Sequence, residues 1–254
     1  MMSPLAHFVD RLRSARVEPD PFPHYVLERV FPDDYYRELL RHLPSSEVYD
    51  NLYEVTDLKL DHFRHRDQRD MDHGWTERLP VELRPFWDSF NEWFLSEELA
   101  QAVMESFGES LPLPPRPAVS VESQFIRHRA GYFLGPHSDL YTKLVVLLLY
   151  LAPDDNAEHL GTSLYRPKQA GFSCPSSKHY AFEDFVRVKT APYRANSLLA
   201  FVRSDISFHG LEPLSERDVA TTAGRDVIQY VIHDKAKREA QLTARRAATQ
   251  EANA

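Results

Sequence analysis

Apolar residues change their spacing partway along the chain, and the change divides it into two kinds of structure. Over the first hundred residues they recur at intervals of three and four, the period of one helix face. Leu5-Ala6-His7-Phe8-Val9-Asp10-Arg11-Leu12 is the first such stretch. Phe31-Pro32-Asp33-Asp34 places two acids at a helix start, and Tyr35, Leu39, Leu40 and Leu43 supply the apolar face that follows. Between residues 82 and 107 the same period returns with Trp87, Phe90, Trp93, Phe94, Leu99, Val103 and Phe107. Ser96 reads as an N-cap between two helices there, and Gly108 as a C-terminal stop.

The stretch Leu111-Pro112-Leu113-Pro114-Pro115-Arg116-Pro117 cannot be helical and forms a stiff connector. Past it the periods shorten to strand length. Val119 to His128 alternates, and Lys143 to Leu151 is a continuous apolar run suited to a strand covered on both faces. Ser197 to Arg203 and Asp226 to Ile232 predict two more strands. Six of the eight glycines lie between Gly131 and Gly224, where turns between strands need them. The pattern therefore predicts one domain in three parts: a mostly helical N-terminal region over 1–116, a β-sandwich or barrel over 117–233, and a polar helical tail over 234–254.

Composition narrows the chemistry. The 254 residues are 43% hydrophobic, enough for one packed core. A single cysteine, Cys174, excludes a disulfide framework, a thiolate zinc site and an iron–sulfur cluster. Neither of the glycine-rich phosphate loops occurs, which argues against ATP, GTP or dinucleotide chemistry. A net charge of −8 argues against nucleic acid as a partner. No signal-peptide pattern and no apolar run of about 18 residues is present, so no membrane partner is expected and the default compartment is the cytoplasm. Metal held by histidine and carboxylate stays open.

The strongest candidate for such a site is His137-Ser138-Asp139 together with His209 in Phe208-His209-Gly210. On an extended strand, residues two apart share a face, so His137 and Asp139 can present an imidazole and a carboxylate side by side. A second histidine from a neighbouring strand completes three ligands on one face of an octahedron. That arrangement leaves positions open for a co-substrate and O2, as non-haem Fe(II) oxygenases require. Chance supplies about one H-x-D triplet in a chain of this composition, and the sequence has two. The other, His65-Arg66-Asp67, lies in the polar stretch Asp61 to His73 without a strand pattern around it. It reads as a solvated loop or helix edge, or alternatively as a lid over the active site.

Several ordered motifs now bear a family likeness. Gly131-Tyr132-Phe133-Leu134-Gly135-Pro136-His137-Ser138-Asp139, the apolar strand from Lys143 to Leu151, and Gly161-Thr162-Ser163-Leu164-Tyr165-Arg166-Pro167 follow one another. Asn196 to Phe201 then leads to Phe208-His209-Gly210-Leu211-Glu212-Pro213, and Arg225 opens the closing strand. In this order they resemble the Fe(II)- and 2-oxoglutarate-dependent oxygenases, in particular the prolyl-hydroxylase-like branch. The resemblance covers somewhat under half of the chain.

It implies an α+β fold, a double-stranded β-helix (jelly roll) with the α-helical N-terminal region packed on it. It also implies Fe(II) on His137, Asp139 and His209, with 2-oxoglutarate as co-substrate. O2 would be consumed, 2-oxoglutarate decarboxylated to succinate, and a substrate C–H oxidised. Arg225 would anchor the far carboxylate of 2-oxoglutarate, a group that needs a charge-assisted and preferably bidentate partner. Arg217 is the competing anchor; Gly224 and the matching strand favour Arg225. Val227, Gln229 and Val231 share the face of Arg225, whereas Ile228, Tyr230 and Ile232 form an apolar face directed at the helical region.

Lys143 is a further candidate for co-substrate contact, with a solvent-facing strand start as its alternative. Gln124 and Gln229 are candidates for hydrogen bonding around the site. Arg127 and Arg129 are candidate substrate contacts, against the plainer reading of scattered surface arginines. His159, His179 and His233 read as ordinary, partly exposed histidines, and Cys174 as inert.

The expected partner is a small-molecule substrate, such as a sugar-containing or peptidic natural product, that is hydroxylated or oxidatively cyclised. A prolyl-hydroxylase-like protein hydroxylase is the alternative enzyme, and a non-catalytic metal-binding jelly roll is the alternative from another class. Oligomeric state is left open.

Overall fold

A computed structural model describes residues 3–56, 59–72, 74–111, 117–175, 178–219 and 224–252. In chain order its elements are α1 (Pro4–Arg13), β1 (His24–Glu28), α2 (Asp33–Arg41), β2 (Asp50–Asn51), α3 (Leu52–Val55), β3 (Arg66–Asp70), α4 (Arg84–Phe94) and α5 (Glu97–Glu105). There follow β4 (Val119–His128), β5 (Leu134–His137), β6 (Lys143–Tyr150), β7 (Thr162–Pro167), β8 (Phe185–Ala191), β9 (Ser197–Val202), β10 (His209–Leu211), α6 (Glu216–Val219), β11 (Arg225–Asp234) and α7 (Lys235–Ala252).

From β4 onward the strands are dealt between two antiparallel sheets. The larger has the order β1-β9-β6-β11-β4-β3-β2 and the smaller β5-β10-β7-β8. Strands β4 to β11 thus form the eight-stranded jelly roll, with four strands in each sheet. The alternation of β4, β6, β9 and β11 decides which side chains face the interior between the sheets. Val146, Leu148, Tyr150, Leu199, Phe201, Val227 and Val231 pack there with Tyr132, Leu164 and Leu211.

The opposite face of the large sheet carries Phe125, Val145, Leu147, Leu149, Leu198, Ala200, Ile228, Tyr230 and Ile232. Against it lie the apolar faces of α1, α2, α4 and α5, among them Phe8, Leu39, Trp87, Phe90, Phe94, Leu99 and Val103. Aromatic edges do much of this packing: Trp87 meets Phe125 with ring centroids 4.8 Å apart, and Phe94 meets Tyr230 at 5.1 Å. Caps set the helix starts, since Ser3 accepts from Ala6 N and Ser96 from Leu99 N.

The first half differs from a purely helical reading in three places. β1 pairs with β9 at one edge of the large sheet, and β3 with β2 extends the other edge beyond β4. β3 has the sequence RDQRD, which carries no apolar alternation. Its backbone hydrogen bonds to β4 hold it in the sheet rather than burial of its side chains. No helix among the described residues is long and apolar enough to cross a membrane.

Candidate active site

β5 runs up to His137, and β10 begins at His209, directly opposite it in the antiparallel register. The two imidazole centroids are 4.3 Å apart. Asp139 lies just past the end of β5, and its Oδ2 comes within 3.6 Å of His209 Nε2. Ligand atoms of His137, Asp139 and His209 all lie within 4.8 Å of one another, and each residue is buried. Among the described residues these three form the one such histidine–carboxylate group.

Their surroundings suit a metal. Each imidazole is oriented through Nδ1 by a backbone carbonyl: His137 by Gly135 O at 3.1 Å and His209 by Ser207 O at 3.0 Å. An Nδ1–H donated to a carbonyl fixes the tautomer and leaves Nε2 with a free lone pair. Asp139 Oδ2 is buried and accepts no hydrogen bond, while Oδ1 accepts one from Lys143 Nζ at 2.6 Å. Arg203 Nε donates to the backbone carbonyl of Asp139 at 3.0 Å and holds the loop after β5 in place. The result is two lone pairs and one carboxylate oxygen converging with no proton between them, which fits a divalent cation.

Electrostatics favour the same protonation states. Burial pushes His137 well below the ordinary histidine value, with repulsion from His209 adding to it. Burial likewise lowers His209. For Asp139 burial acts upward, but Lys143, ahead of the two imidazoles, overrides it and holds the carboxyl well below its usual range. Neutral imidazoles beside an ionised carboxylate are the forms that bind a metal.

A cavity of about 360 Å³ opens between the sheets at this point, and Arg225 lines it together with the triad. Arg225 is 2% exposed, and its guanidinium is held by neutral partners. Nε donates to Leu160 O at 2.5 Å, Nη2 to Thr162 Oγ1 at 3.1 Å, and Nη1 lies 3.2 Å from His128 Nδ1. The rings of Tyr150 and Tyr193 flank it at 5.3 and 5.2 Å. Among the described residues no carboxylate pairs with it. The neighbouring acid, Asp226, is taken by Arg127 at 2.7 and 2.8 Å. A buried cation without a counter-ion is costly, and burial lowers its pKa accordingly. An anionic ligand would relieve that cost.

The remaining candidates separate cleanly. Lys143 and Gln229 line the cavity, Lys143 on Asp139 and Gln229 two rows along the strand from Val227. Gln124 instead links β4 to β3, donating to Asp70 Oδ1 at 2.5 Å. Arg217 is exposed on α6, away from the cavity lining. Arg127 and Arg129 are not brought to the cavity, contrary to the expectation that they contact substrate. Alternation along β4 turns Ile126 and His128 inward, so Arg127 projects to the opposite face, where it binds Asp226. Arg129 pairs with the buried Asp67.

The second H-x-D is part helix edge and part strand. His65 ends a 3-10 helix over Asp61–His65, in line with the helix-edge reading, and is half-buried with its carbonyl accepting from Arg129 N, whereas Arg66–Asp70 is a sheet strand rather than a solvated loop. Phe63 and Arg66 of this segment do face the cavity. Two histidines with no sequence signal also line it: His128, stacked on Tyr132 at 4.3 Å, and His179, 4.9 Å from the His137 ring. Burial drops His179 to about 4 and His128 well below its usual value.

Fold and site together define a jelly-roll protein with a buried His–Asp–His cluster that could hold a metal ion, sharing its cavity with an arginine that has no carboxylate partner among the described residues. No protein-family model and no curated protein matches the chain. Solved structures do. A prolyl hydroxylase from Trichoplax adhaerens, in complex with a peptide fragment of the hypoxia-inducible factor oxygen degradation domain, superposes with a TM-score of 0.52 at 14% identity, covering 92% of this chain and 91% of that one. A prolyl-4-hydroxylase from Pseudomonas putida gives 0.46 at 16% identity over 91% and 99%. HygX from Streptomyces hygroscopicus, with nickel, 2-oxoglutarate and hygromycin B bound, gives 0.48 at 13% over 83% and 82%. The jelly-roll core with its two antiparallel sheets, which the superposition on the Trichoplax enzyme supports, agrees with that part of the fold the sequence resemblance implied.

Proposed function

We propose that the protein is an Fe(II)- and 2-oxoglutarate-dependent oxygenase acting on an unactivated C–H of a small molecule, by hydroxylation or oxidative ring closure. The observation that carries this reading is Arg225: a buried guanidinium without a carboxylate partner, lining the same cavity as the triad. A metal site by itself would fit many proteins. A metal site that shares its cavity with a fixed cation fits a co-substrate that chelates at one end and carries a carboxylate at the other.

His137, Asp139 and His209 would hold the iron, which supplies O2 activation when bound. Arg225, kept in place by Leu160 O and Thr162 Oγ1, would bind the distal carboxylate. The apolar walls Leu134, Leu148, Leu211 and Val227 would keep water from the space between. Residues 117–233 would form the catalytic core, with 1–116 and 234–254 as its supporting region and tail within one domain.

The test is anaerobic. Fe(II) and 2-oxoglutarate added to the purified protein should give the visible metal-to-ligand charge-transfer band of the chelate. His209→Ala should abolish it. Arg225→Gln should weaken 2-oxoglutarate binding by about 10- to 100-fold, the size of a lost charge-assisted contact, with Arg217→Ala unchanged. A wild-type protein without the band, or one that keeps it after His209→Ala, would overturn the assignment.

A further inference from the structure

The cavity holds a second guanidinium that the co-substrate does not need. β3, β4 and β11 are adjacent, and their register sets Arg66, His128 and Arg225 in one row across three strands. Arg66 and Arg225 are therefore two strand spacings apart at the backbone, about 10 Å. Their side chains are held by different partners. Arg225 is fixed toward β7, whereas Arg66 Nη2 donates to Gln124 Oε1 at 2.8 Å and Nη1 lies 3.5 Å from the Tyr132 hydroxyl. Gln124 is itself tied to Asp70, so Arg66 is braced from behind. Its Nε is buried and has no hydrogen-bond partner. Among the described residues no carboxylate pairs with it, and His128 between the two arginines is kept neutral by burial and by both cations.

Charge counting points the same way. Arg66, Lys143 and Arg225 line the cavity against Asp139 as the one carboxylate. A divalent metal and the dianion of 2-oxoglutarate cancel one another, so loading the site leaves the positive excess in place. Around Arg66 the walls are apolar or aromatic: Leu52, Phe63, Ile126, Tyr132 and Leu134.

We infer that Arg66 is the substrate's anchor, and that the substrate is an organic acid whose carboxylate docks on this guanidinium with its apolar body against Phe63, Ile126 and Leu134. The inference rests on the oxygenase reading above and adds the substrate class. One unpaired guanidinium in a largely apolar wall matches a planar monoanion, which the Arg fork binds through two parallel hydrogen bonds.

The experiment uses the full chain loaded anaerobically with Fe(II) and saturating 2-oxoglutarate, titrated calorimetrically with benzoate and with its neutral isostere benzamide. Benzoate should bind at least about tenfold more tightly, as expected for a charge-assisted contact. Arg66→Gln should erase the difference, and Arg66→Lys should restore part of it. Binding of 2-oxoglutarate, read from the charge-transfer band, should stay within threefold of wild type in both variants, which also reports that they fold. Equal binding of the two probes to wild type overturns the proposal. So does a benzoate affinity that falls as 2-oxoglutarate rises, or a loss of 2-oxoglutarate affinity in Arg66→Gln as large as in Arg225→Gln, since either places Arg66 in the co-substrate site. If the chelate band never forms, the oxygenase reading itself fails; if it forms and benzoate is not preferred, only the substrate assignment fails.

Discussion

Tyr230 shows how much a single side chain can say about both faces of a sheet. Its ring is fully buried against Phe94 on the helical side, yet its hydroxyl has no hydrogen-bond partner. Burial without a partner raises its pKa beyond the ordinary tyrosine value and costs free energy in the folded state. Tyr230→Phe removes the unsatisfied group and leaves the ring, so it should leave stability unchanged or raise it by about 1 kcal/mol. Urea unfolding of the variant checks this, and a clear loss would mean that the hydroxyl has a partner after all.

The residue scale also separates what was legible from what was not. His137, Asp139, His209 and Arg225 stand out in sequence through their order and flanking glycines. Arg66, His128 and His179 do not, because a side chain's turn toward a shared cavity depends on which sheet face its backbone presents. Arg127 misses the cavity lining by one position: its neighbour His128 faces inward, and the pleat sends Arg127 outward to Asp226.

Among the elements, β10 is short and does disproportionate work. Its three residues pair with β5 on one side and β7 on the other, and its first residue is a candidate ligand. Gly210 permits that closeness. A Cβ there would stand 2.4 Å from Leu134 O, a backbone atom that cannot rotate away. Gly210→Ala should therefore destabilise the protein by about 1–3 kcal/mol and weaken Fe(II) binding, because β10 and β5 can separate only by moving His209 from His137. Thermal unfolding and metal titration measure both effects. Unchanged metal affinity would mean that the sheet yields elsewhere.

Four of the eight jelly-roll strands, β4, β6, β9 and β11, were readable because their side chains alternate or run wholly apolar: β4 spans Val119–His128 and β6 Lys143–Tyr150, where the pattern places them. β3 was not readable, since a strand near the sheet margin can be held by ladder hydrogen bonds alone and RDQRD carries no apolar signature. β1 was missed because five residues are too few to establish a period.

At the scale of the whole molecule, the buried histidines couple folding to pH. His24 and His128 are buried, and burial lowers both below the unfolded value of about 6.5. Below that pH the unfolded chain takes up protons that the folded chain refuses, so stability is full above it and falls as pH drops. The limiting slope is about 1.4 kcal/mol per pH unit for each histidine. Metal-free protein should thus unfold at lower urea concentration at pH 5.5 than at pH 7.5, and His128→Gln should flatten the dependence. A stability that is constant or rises on acidification would contradict the burial of these rings in neutral form.

The sequence by itself determined the division into a helix-rich first half and a stranded second half, and the ligand types available for chemistry. Both follow from local rules, the spacing of apolar residues and the scarcity of cysteine and glycine. Which arginines meet the cavity was decided only in three dimensions. Strand register put Arg66, His128 and Arg225 in one row, the pleat sent Asp226 to the opposite face with Arg127 and away from Arg225, and an unpatterned strand beyond β4 carried Arg66 to the cavity wall. Such charge relations join residues up to 159 positions apart, and no local period encodes them.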